Sequence, residues 1–452
     1  MSNFNKQLLK YIPGGAHTYS RGFDAFPKNA PQILKYGKGV KICDHKKREL
    51  IDFGMGLRSV NIGYSETEID KAAFRGIKQG NNLTRPSLIE LEAAKKFIGT
   101  IKKADMVKFG KNGSISVTAA VKLARAYTKK KIILRCSSHP FFSFDDWFIG
   151  STVISRGIPR DVMKLTDTFE YNKIESLKSK IKKYKNQIAC VVMEPATDQC
   201  PEYYGQTGCC NQPRCERSYY KNHHYLKQVQ QLCNENKILF ILDEMITGFR
   251  WHLGGAQELY GLNPDLSTFG KAMANGFSVS AVCGKKEIME LGSVVKKNQE
   301  RVFLLSTTHG AEMGPLNAFI KTIDFIKKNK VIETNWKTGF EISSSINLLS
   351  KQYGLFKNFF ISGPACSPVF TCLDNNLKNN LSFRTLFIQE MIKNGVLMPW
   401  ISIAYRHKDK KIIKKTLDAV DRSLFIYKKA LNNGIKRYLK GPPIKPVFRK
   451  YN

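Results

Sequence analysis

Short apolar runs without polar alternation recur through the middle of the chain: "MVKFG" at 106–110, "KIILRC" at 131–136, "IACVVMEP" at 188–195, "ILFILDE" at 238–244 and "SVSAVCG" at 278–284. Runs of this kind predict strands covered on both faces, as in a parallel sheet. Between them lie stretches of helical period such as "SVTAAVKLARAYTKK" and "NKIESLKSKIKKYK". The alternation predicts an α/β fold with a mainly parallel central sheet in a large domain. Ligands of such sheets bind beyond the carboxyl ends of the strands, and Asp243, Glu244 and Glu194 all fall at such ends.

The two ends of the chain read differently. The opening part has hairpin-like pieces, "PQILKYGKGVKICDHKKRELIDFG", and the closing part mixes helices with short strands, "FFISGP" and "SPVFTCLD". The expected organisation is an N-terminal segment at 1–75, a large domain at 76–325, a smaller α+β part at 326–435 and a basic tail at 436–452. The prolines of "KRYLKGPPIKPVFRKYN" predict an extended tail on the surface.

With 452 residues, 42% of them hydrophobic, the chain can bury a large core. No stretch approaches the roughly 18 consecutive apolar residues of a membrane-spanning helix. The start, "MSNFNKQLLKYIPGGAHTYSRG", lacks the apolar core and cleavage site of a secretory signal. A cytoplasmic protein with no membrane partner is expected. The net charge of +36 changes this picture little, because its lysines are spread along the whole chain. A nucleic-acid protein would show a basic stripe or a known module, so no nucleic-acid role is expected. Such charge does raise the local concentration of anionic substrates.

The 11 cysteines form no CxxC pair. Four of them, Cys200, Cys209, Cys210 and Cys215, lie with His223 and His224 in the segment 198–224. Those six are the candidates for a soft metal such as zinc. Their irregular spacing lacks paired knuckles, and loop cysteines without a metal are the expectation.

Four features carry candidate chemistry. Lys271 sits beside a glycine with small residues after it, in "STFGKAMANGFS". That setting admits a close ligand and suits a Schiff-base lysine, though taken alone one such position is ordinarily a solvated surface lysine. Asp243, in "LDEMITGFR", ends an apolar run. A buried carboxylate must be paired, whether with a protonated pyridine nitrogen, as a helix cap, or with Arg250. "KNGSISVTAAVKLAR" at 111–125 opens a helix with Asn-Gly-Ser, either a phosphate site or a simple cap. "LSTTHGAE" at 305–312 is a hydroxyl-rich run before a glycine turn.

In this order, and with "LDEMITGFRWHLGGAQELYGLNPDLSTFGKAMANGFSVSAVCGKKEIMELG" at 242–292, the chain resembles class III aminotransferases, in the branch of glutamate-1-semialdehyde 2,1-aminomutase. The resemblance implies the aspartate-aminotransferase-like fold, its smaller α+β domain built from both chain ends, and pyridoxal phosphate as cofactor. It implies that Lys271 holds the cofactor as an internal aldimine and then shuttles a proton, while Asp243 pairs with the pyridine nitrogen. Gly113 and Ser114 would hold the phosphate, joined by Thr307 from the neighbouring subunit of a homodimer. Arg21, in "YSRGF", matches an arginine near the substrate carboxylate or is a surface arginine. Glu194, in "MEPA", matches a glutamate near the site.

Two departures stand out. Where the family has an aromatic residue before His-Gly, "CSSHPFF" puts Ser138, leaving His139, Phe141 or Phe142 to stack on the cofactor, with His139 nearest. Where true aminomutases have Gly-Thr-Leu-Ser-Gly-Asn-Pro, this chain has "STTHGAE". The expected function is amino transfer from a small-molecule donor to a carbonyl acceptor, as an aminomutase (an isomerase) or as a transaminase, some relatives of that kind serving cell-surface sugar or amino-compound synthesis. The competing expectations are a decarboxylase or racemase on the same cofactor, and a basic nucleic-acid-binding protein on a retired enzyme scaffold.

Overall fold

The computed structural model describes residues 3–196, 199–203, 206–207 and 224–451. The chain separates into two compact units, one formed by the stretch through Glu66 together with that from Glu333 onward, the other by most of Thr67–Ile332.

The larger unit is built on a seven-stranded sheet. Across it the strands run Met106–Gly110, Ser280–Gly284, Leu266–Phe269, Leu239–Asp243, Ile188–Met193, Ile132–Cys136 and Thr166–Phe169. Leu239–Asp243 and Ile132–Cys136 each pair in parallel with both neighbours. Only Ser280–Gly284 is reversed against the strands beside it. Every residue of Ile132–Cys136, Ile188–Met193, Leu239–Asp243 and Ser280–Gly284 is buried, as continuous apolar runs require of a sheet covered on both sides.

All five expected strands are present, with two more, but Met106–Gly110 stands at the sheet's edge and is largely exposed rather than covered on both faces. Leu266–Phe269 is short and half polar and Thr166–Phe169 has a single apolar residue, so they carry no apolar run to find. Ser267 and Thr268 are buried because their hydroxyls have partners, Gln257 Oε1 at 2.8 Å and Asp243 Oδ1 at 3.0 Å. The helix Gly113–Thr128 lies on the sheet through Val117, Ala120, Val121 and Ala124. An aromatic cluster of Phe97, Phe249, Phe269 and Phe319, its ring pairs edge to face or tilted, packs near the loop that follows Asp243. Gly248 has to be glycine there, since a Cβ would come within 2.4 Å of the Phe269 ring.

The smaller unit joins both chain ends in one sheet, Leu34–Lys38, Lys41–Asp44, Glu49–Asp52 and Val396–Leu397, the last parallel to the third. An antiparallel pair, Phe359–Ser362 and Val369–Cys372, and the helices Leu381–Lys393 and Lys410–Asn433 complete an α+β core. Phe359, Phe370, Phe383, Phe387 and Tyr427 fill it. The proline-containing tail is pinned to this unit by Ile444 N–H on Thr385 Oγ1 at 2.9 Å and Lys445 N–H on the Asp24 carbonyl at 2.8 Å. Among the described residues no helix is long and apolar enough to cross a membrane.

Candidate active site

Two carboxylates end the strand Leu239–Asp243, and their surroundings separate them. Asp243, 2% exposed, accepts on Oδ1 from Met245 N–H at 2.9 Å and from the Thr268 hydroxyl at 3.0 Å. Thr268 stands in register with it on the adjacent parallel strand. Burial raises the Asp243 pKa, and the positive charge of Lys271 pulls against that rise, followed by the two hydrogen bonds. Among the described residues both donors fall on Oδ1, so Oδ2 is the oxygen left to meet a ligand N–H.

Glu244 is spent on structure. Its Oε1 accepts from Gln257 N–H at 2.7 Å and its Oε2 from Ala256 N–H at 2.9 Å and from the Thr247 hydroxyl. These bonds close the loop 247–257 over a fully buried group whose pKa burial pushes up to about 7.

Lys271 follows the strand Leu266–Phe269 across a single glycine. Its φ is +40°, the left-handed region that a side chain normally avoids, a conformation costing about 1–3 kcal/mol and concentrated at functional sites. Ala272, Met273 and Ala274 are buried beneath it, and Lys271 itself is half-exposed. The turn ends in a second left-handed residue, Asn275 at φ +46°.

The third piece follows the strand Met106–Gly110. Asn112 caps the helix by accepting from Ile115 N–H at 3.1 Å, which leaves Gly113 and Ser114 at its amino end. Ser280 and Ser278 hold this turn, donating to the carbonyls of Asn112 and Lys111 at 2.7 Å each. Ser114 Oγ accepts from Phe144 N–H at 3.2 Å. Behind it the Asp145 carboxylate takes hydroxyls from Ser143, at 3.1 Å, and from Thr118, while Trp147 Nε1 donates to Thr118 Oγ1 at 2.9 Å.

Met245 brings the three pieces together. A Cβ on Gly270 would stand 2.6 Å from its Sδ, and one on Gly113 3.0 Å from the same atom. The residue two places after Asp243 is thus wedged between the helix start and the lysine turn. Nothing in the linear pattern marks Met245, Thr268 or the Asp145 network. Their importance comes only from which strand ends the fold makes neighbours.

His139 is 2% exposed, and its Nδ1 accepts from Glu194 N–H at 3.1 Å, which puts the ring proton on Nε2. Burial, with the Arg135 charge second, lowers its pKa to about 3, so it is neutral. Its ring packs against Tyr171 at 5.2 Å and Phe142 at 6.0 Å. Phe142 is buried as well, while Phe141 and Phe144 are 46% and 58% exposed. Ser138 is exposed, with its Oγ accepting from Tyr171 N–H at 3.3 Å. Glu194 is buried just beyond the strand Ile188–Met193.

Thr307 is exposed in a small groove of about 270 Å³ shared with Lys108, Phe109, Ser306 and Gly310. Arg21 belongs to the other unit, exposed on the turn Tyr19–Arg21, where its charge acts on the Tyr64 phenol. Cys200 is a buried free thiol. Cys209, Cys210 and Cys215 lie outside the described residues, as does His223. Among the described residues no group of three or more His, Cys, Asp and Glu is set to hold a metal.

The donor set fits pyridoxal phosphate. A closed-off carboxylate suits a cationic ring N–H, a helix start suits a phosphate, and the glycines at 113 and 270 leave a cradle that side chains would fill. The comparisons agree with that fit. The family described as aminotransferase class-III matches residues 25–400. The chain is 31% identical over 430 residues to a 3-aminobutyryl-CoA aminotransferase of Cloacimonas acidaminovorans, covering 94% of this chain and 97% of that one. It is 29% identical over 443 residues to a glutamate-1-semialdehyde 2,1-aminomutase of Francisella tularensis subsp. holarctica, covering 91% and 96%. Its fold is similar to that of the FumI protein of Sphingopyxis sp. MTA144 in its PLP internal aldimine form, with a TM-score of 0.80 at 24% identity over 95% and 97% of the two chains.

Proposed function

The chain belongs to the class-III aminotransferase family, and on that premise we propose that it exchanges an amino group between two separate small molecules, a donor amine and a carbonyl acceptor. Amino transfer rests on Asp243 and Lys271, a carboxylate closed off from water and a lysine at the ends of adjacent parallel strands, and the choice of two molecules over one rests on the loop "LSTTHGAE".

Pyridoxal phosphate bound here supplies a carbonyl that receives the amino group and a ring that draws electrons from the carbon bearing it. Asp243 would hold a proton at the ring nitrogen through Oδ2, while the two donors on Oδ1 keep the carboxylate from turning away. Lys271 Nζ would hold the cofactor and would carry the proton removed from the donor's carbon. The backbone N–H groups of Gly113 and Ser114 would bind the phosphate, with the Ser114 hydroxyl steadied by Phe144 N–H. Neutral His139 adds no charge that would compete for Asp243. Thr307 of one protomer completes the phosphate site of the other in a homodimer. The loop "LSTTHGAE" supports exchange between two molecules over rearrangement within one.

The test is an absorbance spectrum of the cofactor-loaded protein before and after L-glutamate and after a 3-aminobutyryl thioester, with the carbonyl product assayed. Loss of the lysine-bound cofactor band with release of 2-oxoglutarate, or of the 3-oxo thioester, is the expected result. Inertness to both, with conversion of glutamate-1-semialdehyde to 5-aminolevulinate, would overturn the two-molecule reading.

A further inference from the structure

The smaller unit carries an open groove of about 750 Å³ whose lining includes Lys38, Lys41, Lys337, Arg406, Lys408 and Lys410. With 73 Lys and Arg in 452 residues, thirteen lining positions taken at random would hold about two cations rather than six. Only two acids, Glu341 and Asp409, line it with them. The charge is spread evenly over the chain as a whole, so a cluster of this density asks for its own explanation.

Half of the cations are already engaged. Arg406 forks onto Glu66 at 2.8 to 3.0 Å, Lys410 meets Glu341 at 2.8 Å, and Lys41 meets Glu49 at 3.2 Å. These pairs leave the other three ammonium groups facing one concavity. Lys408 is poised 3.7 Å over the Tyr405 ring, and among the described residues Lys38 and Lys337 have no ionic partner. The helix Lys410–Asn433, 24 residues long, begins at the groove, its first turn capped by Asp409 on Lys411 N–H at 2.8 Å. Its positive end adds to the same field. Like charges held together in this way repel one another, and an anion of matching charge relieves the repulsion.

We propose that this groove is a second ligand site, formed wholly by the smaller unit and apart from the residues of the reaction, and that it takes a small molecule carrying a diphosphate group. Three ammonium groups without a carboxylate partner, one of them lying over a tyrosine ring, stand beside a helix start, and two linked phosphates carry the charge and the acceptor oxygens to engage all three where charge-assisted hydrogen bonds are strongest.

The test titrates the cofactor-loaded full chain with inorganic pyrophosphate by calorimetry at fixed ionic strength, the bound cofactor keeping the catalytic phosphate site filled. Pyrophosphate is expected to bind about ten-fold or more tighter than orthophosphate, and ADP is expected to follow pyrophosphate while AMP follows orthophosphate. Lys38→Glu combined with Lys337→Glu is expected to weaken pyrophosphate about ten-fold or more while leaving amino transfer unchanged. The neutral pair Lys38→Gln with Lys337→Gln gives the same reading if charge reversal unfolds the unit. Equal binding of pyrophosphate and orthophosphate overturns the proposal. So does binding that neither double variant alters, or displacement of pyrophosphate by single-stranded DNA with an affinity that rises with strand length.

Discussion

Asp243 and Glu244 are adjacent, equally enclosed and chemically alike, and what differs between them is the direction of their donors. The donors to Glu244 come from its own loop, while Asp243 is anchored through one oxygen and feels the charge of Lys271. Substitution separates the two. Asp243→Asn is expected to lower kcat of the loaded enzyme by about 10²–10³-fold, the usual loss on removing a preorganised electrostatic group, with little change in stability. Glu244→Gln turns an amide N–H₂ toward one of three donors, so it is expected to cost about 1–3 kcal/mol of stability, read as a fall in the urea midpoint. A Glu244→Gln variant as stable as the parent would mean that the loop is held elsewhere.

Two of the buried histidines give a pH prediction at the same scale. His139 is lowered to about 3 and His407 to about 4, burial being the first cause for each. An unfolded histidine titrates near 6.5, so the unfolded chain takes up these protons first as the pH falls. The stability they contribute is whole above about pH 6.5 and is lost as the pH drops through their folded values. Glu244, raised to about 7, works in the opposite sense, since the folded chain binds its proton more tightly. In a proton NMR titration, His139 and His407, among the eight histidines, are expected to stay neutral from pH 8 to pH 5. Titration of all eight near 6.5 would contradict the packing described around His139 and His407.

At the scale of elements, the site is a meeting of strand ends and tight turns. The buried strands were legible because each is a continuous apolar run, and the phosphate turn because Asn-Gly-Ser precedes a helical period. Leu266–Phe269, which delivers Lys271, was not. Half of it is polar, and those hydroxyls are at home only because Gln257 and Asp243 wait across the fold. Met245 likewise carries no signal of its own, since a methionine after a strand fits almost any reading. Its position between Gly113 and Gly270 predicts a coupling. Gly270→Ala places a methyl against Met245 Sδ and is expected to weaken cofactor binding about ten-fold or more, and Met245→Ala in the same chain is expected to restore part of that loss. Strictly additive effects in cofactor titrations would mean that the contact does not set the turn.

For the whole molecule, the central expectation is that two chains share each site. The assembled protein should have about twice the mass of the 51.4 kDa chain. Lys271→Ala and Thr307→Ala homodimers are each expected to be impaired at limiting cofactor. Mixing and reassociating them should recover activity, because one site of the mixed dimer draws Lys271 and Thr307 from unaltered copies. No recovery on mixing would place Thr307 outside its partner's site.

The most direct measurement is to reduce the cofactor-loaded protein with borohydride, which fixes a lysine-bound pyridoxal group as a stable amine, and to locate the modified peptide by mass spectrometry. A single modified lysine at Lys271, lost in Lys271→Ala, is the predicted result. Modification at Lys108 or Lys111 instead, or none anywhere, would contradict the reading of Lys271 and Asp243 as the two ends of one cofactor site.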